Sequence, residues 1–273
     1  MKWLALLIAC GLCGQFATGT DLVEVYATVT TADGRPVTTL ARDDFIVLDN
    51  GVRQRIDAFA VGDFPLSVAL ALDRSWSMAG QRLRGVKTAA MAFLDELRPE
   101  DEAMLLAIGS EVDTISPLSR DRAAQRDAVR ALEPWGSTPL HDAIIEAVDR
   151  IGAARGRRAL LILSDGNDRY SRATADEVIA RVRGAAVLIY PVVLGREAIP
   201  LFERLARITG GRVFEVDKPS EVSRAFADVA AELRHQYLLG YEPPKSDAGQ
   251  WRRIAVRVPR GMVVRARTGY VAP

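Results

Sequence analysis

Asp73, Ser75 and Ser77 alternate in Leu72-Asp73-Arg74-Ser75-Trp76-Ser77-Met78, immediately after an apolar run. One carboxylate and two hydroxyls at that spacing offer only hard oxygen donors. Two further clusters have the same character: Gly136-Ser137-Thr138-Pro139, and Ser164-Asp165-Gly166-Asn167-Asp168. Together they supply the carboxylates of Asp73 and Asp165 and several hydroxyls, with no Cys and no well-placed His. A few hard ligands that leave positions for water suit Mg²⁺ or Mn²⁺ and do not suit Zn²⁺. Each cluster alone has an ordinary structural explanation. Asp73 or Ser75 caps a helix, Thr138 with Pro139 does the same, and Asp165-Gly166 makes a plain turn. Those separate explanations leave unaddressed why all three clusters follow apolar strands or precede helices.

The elements that must position them follow from hydrophobic period. Leu66 to Leu72, Ala103 to Ile108, Ala159 to Leu163 and Ala186 to Leu194 are near-continuous apolar runs, the pattern of strands covered on both faces. Amphipathic helices are predicted between them. In the first, Leu83, Val86, Ala90, Phe93, Leu94 and Leu97 share a face and Pro99 stops the helix. Further helices are predicted at Asp121 to Leu132, Leu140 to Ile151, Ala173 to Arg183, Ile199 to Ile208 and Ser220 to Arg234. Repeated alternation of strand and helix predicts an α/β fold with a doubly wound, mostly parallel, Rossmann-like sheet. Ligands of such sheets bind outside the carboxyl ends of the strands, where all three clusters fall.

The flanks read differently. Residues 20–63 alternate with period two in Val23 to Val29, turn at Asp33-Gly34, and place Asn50-Gly51 as a hairpin between Phe45 to Leu48 and Arg53 to Phe59. Residues 235–273 return to strand patterns in Gln236 to Tyr241, Arg252 to Val258 and Val263 to Arg267. A piece of two or three strands is marginal alone. The economical arrangement pairs both flanks into one small β-sandwich with the α/β domain, residues 64–234, inserted; two separate β flaps are the alternative.

The set Asp73-x-Ser75-x-Ser77, then Thr138, then Asp165 resembles the metal-ion-dependent adhesion site of von Willebrand factor type A (VWA) domains. The resemblance covers roughly 170 residues, with the five positions in order. The segments Asp44 to Gly51 and Gln236 to Tyr241 also resemble those of an exported bacterial subgroup, the VWFA-related Acidobacterial proteins. The resemblance implies a Mg²⁺ or Mn²⁺ ion held by Ser75, Ser77 and either Thr138 or Asp73, with Asp165 near it directly or through water. It implies a partner protein or peptide whose acidic side chain fills an open coordination position. It further implies that exchange between direct and water-mediated contact at Thr138 and Asp165 moves the last helix, Ser220 to Arg234. Two positions depart from the common pattern, Trp76 and Ser137 each standing where Gly is frequent. Neither change removes a ligand.

Composition narrows the remaining classes. Of 273 residues, 36 are Lys or Arg and 35 Asp or Glu, so the net charge is only +1 and a phosphate-neutralising nucleic-acid binder is not expected. Residues 1–19 read as a secretory signal, with Lys2, an apolar core and a small-residue end at Ala17-Thr18-Gly19. Leu7-Ile8-Ala9-Cys10 has the letters of a lipoprotein box, though very early in the chain. Cys10 and Cys13 are the only cysteines, so the expected mature protein has neither disulfides nor thiolate sites. An exported location, periplasmic or extracellular, follows as the expectation.

No enzymatic activity is expected. A phosphatase of the haloacid dehalogenase type is the enzymatic alternative, but Ser75 occupies the position of its general acid. A serine hydrolase lacks its nucleophile elbow, because Ser77 is not in Gly-x-Ser-x-Gly. No Gly-x-Gly-x-x-Gly follows the first central strand. A structural VWA domain with a vacant site is the remaining class. The basic residues Arg82, Arg84 and Lys87 are expected on a solvated helix face, and Arg157-Arg158 as ordinary loop charge.

Overall fold

The computed structural model describes residues 22–62, 64–195 and 199–272. The segment expected to be a signal, residues 1–19 with Cys10 and Cys13, lies outside the described residues. The first flank contains β1 (Val23–Thr31), β2 (Ile46–Asp49), β3 (Val52–Gln54) and β4 (Ala58–Val61). The central unit begins with β5 (Leu66–Asp73), α1 (Gln81–Glu96), β6 (Glu102–Ile108), β7 (Val112–Ser119), α2 (Arg122–Arg130) and α3 (Leu140–Gly152). It continues through β8 (Arg157–Ser164), α4 (Ala175–Gly184), β9 (Val187–Leu194), α5 (Pro200–Thr209), β10 (Phe214–Val216) and α6 (Val222–Arg234). The second flank supplies β11 (Gln236–Tyr241), β12 (Trp251–Arg257), β13 (Met262–Ala266) and β14 (Gly269–Val271). Among the described residues, no helix is long and apolar enough to cross a membrane.

The central sheet has the order β10-β9-β8-β5-β6-β7, all parallel except the antiparallel edge strand β7. This is the expected fold class. Every residue of β5 is buried, and its alternate side chains serve two different cores. Leu66, Val68, Leu70 and Leu72 face a cluster that includes Phe93 of α1 and Phe226 of α6. Ala69 and Ala71 face the other cluster, with Ala143, Ile144, Ala147 and Val148 of α3. Burying one large aliphatic side chain contributes about 1.5–3 kcal/mol, so these two layers fix the sheet between its helices. With β5 so constrained, its last residue, Asp73, is held at the carboxyl edge.

The flanks pair with each other. β1 is antiparallel to β11 and β13, and β4 adds to β11, giving one four-stranded sheet. β12 joins β2 to β14, and β2 pairs with β3, giving the second. A shared core, with Val25, Val29, Phe45, Val47, Tyr237, Leu239 and Ile254, lies between them. At its centre the buried Asp49 accepts hydrogen bonds from the hydroxyls of Tyr241 and Tyr270, both at 2.9 Å, and from Arg252 Nε at 2.8 Å.

Three details differ from the sequence expectations. The Asn50-Gly51 turn is present, with φ of 48° and 85°. However, Arg53 to Phe59 is not one continuous arm: β3 stays with β2, whereas β4 crosses to the other sheet. β7 was not expected, because Pro117 and its polar residues break the apolar pattern; an edge strand tolerates both. β10 is three residues long, too short to carry a periodic signal.

Candidate metal centre

Three loops at the carboxyl edge of the central sheet are stitched together by backbone hydrogen bonds. Trp76 N donates to the carbonyl of Gly136 at 3.1 Å, and Trp135 N donates to that of Arg74 at 2.7 Å. Arg169 N donates to the carbonyl of Thr138 at 2.7 Å, joining the third loop to the second. Close nesting requires glycine at Gly136, where φ is 78° and an added Cβ would lie 2.3 Å from Ser110 N.

Asp73 is the centre of the arrangement and is fully buried. Its Oδ1 accepts from Ser75 N at 2.9 Å, an Asx-type turn that starts the loop. Its Oδ2 accepts from Ser164 Oγ at 2.6 Å and from Thr138 Oγ1 at 3.4 Å. Ser75 Oγ and Ser77 Oγ lie 3.1 Å apart. Burial raises the Asp73 carboxyl pKa above its ordinary value; hydrogen bonds from Ser164 and Ser75 oppose the rise, and the charge of Asp165 adds to it.

Helix capping does not account for these residues. Ser75 precedes a short 3₁₀ turn, Trp76–Met78, and its side chain makes no cap hydrogen bond. Pro139, not Thr138, occupies the N-cap of α3, again without a side-chain cap. Asp165 does form a local turn, with Oδ1 accepting from Asn167 N at 3.3 Å. Its side chain is nonetheless nearly buried, and Oδ2 lies 3.7 Å from Arg82 Nη1. Thus Asp73 touches Ser75, Thr138 and Ser164, Ser75 touches Ser77, and Asp165 is within electrostatic reach of Asp73.

Two participants were not singled out by the sequence reading. Ser164 donates the shortest hydrogen bond to Asp73 and receives one from Gly166 N at 3.0 Å. Its position at the end of β8, beside Asp165, was the available signal. Arg82 lies on an exposed face of α1, as expected, and from there also donates to the carbonyl of Ser77 at 3.2 Å and pairs with Asp165. Arg157 departs from ordinary loop charge: it is buried and donates to the carbonyls of Leu233 and Phe64. His141 is engaged locally, its Nδ1 lying 2.9 Å from the carbonyl of Ala173.

The donor set fits a hard divalent cation. Two carboxylates converge with the hydroxyls of Ser75, Ser77 and Thr138, and a half-exposed Arg82 is the nearby counter-charge. Among the described residues no group of three His, Cys, Asp or Glu that could hold a metal ion gathers, so hydroxyls would have to complete the donor set here. Around the site stand three exposed aromatics, one from each loop: Trp76, Trp135 and Tyr170. The Arg74 guanidinium lies 5.0 Å from the Trp135 ring centroid and pairs with Asp113 at 2.6 Å.

Comparison with known proteins agrees with this architecture. The von Willebrand factor type A domain family matches residues 68–167. Inter-alpha-trypsin inhibitor heavy chain H3 of Homo sapiens is 23% identical over 134 residues, 44% of this chain and 15% of that one. The chain therefore spans about one-seventh of the length of this relative. A von Willebrand factor type A structure from Catenulispora acidiphila has a TM-score of 0.56 at 13% identity, covering 94% of this chain and 75% of that one. The von Willebrand domain of the type V pili tip protein Mfa5 from Porphyromonas gingivalis has a TM-score of 0.53 at 13% identity, covering 63% and 95%. Residues 68–167 thus match the von Willebrand factor type A domain family, and the central α/β unit that contains them has the fold of such domains.

Proposed function

We propose that the chain is a non-enzymatic, metal-dependent protein-binding module in which Asp73, Ser75, Ser77, Thr138 and Asp165 hold Mg²⁺ or Mn²⁺. The observation that carries this reading is the convergence of both carboxylates and three hydroxyls on one sheet edge, with Asp73 buried among them. When bound, the cation supplies positive charge and an open position for a partner's carboxylate oxygen. Asp73 fixes the loop through Ser75 N and Ser164, and the three hydroxyls bring ligand oxygens to the cation without adding negative charge. Trp76, Trp135 and Tyr170 offer exposed aromatic area around the acidic contact, the residue types that dominate interface energetics. The partner is thus a protein or peptide that presents Asp or Glu beside apolar side chains. A place outside the cytoplasm, in the envelope or beyond it, belongs to the same reading; the similar pilus-tip domain supports it.

The position that a haloacid-dehalogenase phosphatase needs for its general acid holds Ser75, whose hydroxyl is buried and paired with Ser77. A hydroxyl of ordinary pKa does not protonate a leaving group efficiently at neutral pH. The direct test is retention of envelope proteins on immobilised protein, with Mg²⁺ and with chelator. Chelation is expected to release the bound partner, and Trp76→Ala to weaken its binding by about 1–3 kcal/mol. Retention indifferent to chelator would contradict the reading.

A further inference from the structure

A cavity of about 310 Å³ lies at the other edge of the central sheet, where β8 and β9 begin and where β1 and β14 meet α4 and α5. Three arginines line it: Arg158, Arg183 and Arg267. Arg267 lies with its guanidinium 5.6 Å from the Tyr270 ring centroid, and Arg183 with its own 5.3 Å from that of Trp251. Neither pairs with a carboxylate among the described residues. Arg158 donates Nη1 to the carbonyl of Gly152 at 2.8 Å, while its Nε and that of Arg267 are buried without any hydrogen-bond partner.

Among the described residues, the single carboxylate on the lining is the exposed Glu24, whose Oε2 accepts from the Tyr26 hydroxyl at 3.2 Å. Two other arginines that enter the protein interior meet acids, Arg252 with Asp49 and Arg265 with Glu232, whereas the buried Arg157 donates to the carbonyls of Leu233 and Phe64. Three guanidiniums beside one acid in a partly enclosed space repel one another, and those of Arg158 and Arg267 are incompletely hydrogen-bonded. Burial pulls the Arg267 pKa below its ordinary value, as expected of a cation short of counter-charge. Guanidinium forks match carboxylate and phosphate oxygens alike. The rest of the wall is apolar and aromatic, including Val182, Ile208 and Trp251. A cavity of this size lies at the lower end of the range for small-molecule sites.

We propose that this cavity is a second binding site, for a small organic carboxylate. Arg267 and Arg158 hold the headgroup, and Val182, Ile208 and Trp251 cover an apolar body. The apolar walls favour a carboxylate that carries an apolar body over inorganic phosphate. The site is independent of the metal centre.

The test is calorimetric titration of the full chain, in chelator, with octanoate, 1-octanol and inorganic phosphate. Octanoate is expected to bind saturably at one site, with 1-octanol and phosphate at least tenfold weaker. Arg267→Gln is expected to weaken octanoate at least tenfold. Ala186→Trp narrows the cavity from an exposed wall position without removing a charge, and is expected to do the same. Thermal unfolding verifies that each variant folds; if Arg267→Gln does not, Ala186→Trp decides. Absence of saturable octanoate binding, equal affinity for 1-octanol, tighter binding of phosphate, or undiminished affinity in a folded variant would overturn the proposal.

Discussion

Asp73 shows how one side chain serves both the fold and the proposed function. Its carboxylate is buried at the end of β5, where desolvation disfavours charge, and hydrogen bonds from Ser164 and Ser75 partly offset that cost, with Ser164 Oγ the shorter at 2.6 Å. Ser164→Ala removes the shorter of these and leaves a buried acceptor under-satisfied. The expected loss is about 1–3 kcal/mol of stability, read by denaturant unfolding, together with weaker metal binding. An unchanged unfolding midpoint would mean that Thr138 and Ser75 suffice. The candidate site residues were legible in sequence because small oxygen-bearing residues directly after apolar strands are a pattern that chemistry makes recognisable. Ser164 was less legible, since one serine among polar neighbours carries no spacing signal. Arg82 lies on the exposed face that its spacing on α1 predicts; its approach to Asp165, distant in sequence, carried no local signal.

Among the elements, α4 shows how local sequence sets a boundary. Thr174 accepts from Glu177 N at 3.3 Å, while the Thr174 backbone N–H and hydroxyl donate to Glu177 at 2.7 and 2.9 Å. The backbone N–H and hydroxyl of Thr174 hold the Glu177 carboxyl below its ordinary value of 4.5. A depressed folded-state value means that this stabilisation is fully present above pH 4.5 and is lost as pH falls through the lowered value. The stability gap between the parent and Glu177→Gln is therefore expected to close on acidification below pH 4.5, as measured by thermal unfolding. A gap that persists at lower pH would remove the charged cap from the account. The long helices and buried strands were legible because their periods run over many residues. β10 and β7 were not, being respectively too short and too polar, and the switch of β4 between sheets depends on contacts with β11 that are distant in sequence.

At the scale of the whole molecule, the two flanks close on each other around Asp49, Tyr241, Tyr270 and Arg252. Asp49→Ala would leave Arg252 without its partner and both phenols without their acceptor, so a loss of about 3–5 kcal/mol is expected in denaturant unfolding. α6 ties the central unit to this layer, because its buried Glu232 accepts from Tyr190 at 2.9 Å and from Arg265 of β13 at 2.6 Å. The strand-like period of both flanks was legible, but their mutual pairing was one of two open arrangements until the register joined β1 to β11 and β13. The central claim, that three loops on one sheet edge hold a divalent ion, rests on Asp73, Ser75, Ser77, Thr138 and Asp165 acting together. Calorimetric titration of the chain and of Asp73→Ala with Mg²⁺ and Mn²⁺ tests it most directly. The account predicts saturable binding of one ion by the parent and at least a tenfold loss of affinity in a folded Asp73→Ala variant. No binding by the parent, or equal binding by both proteins, would contradict it.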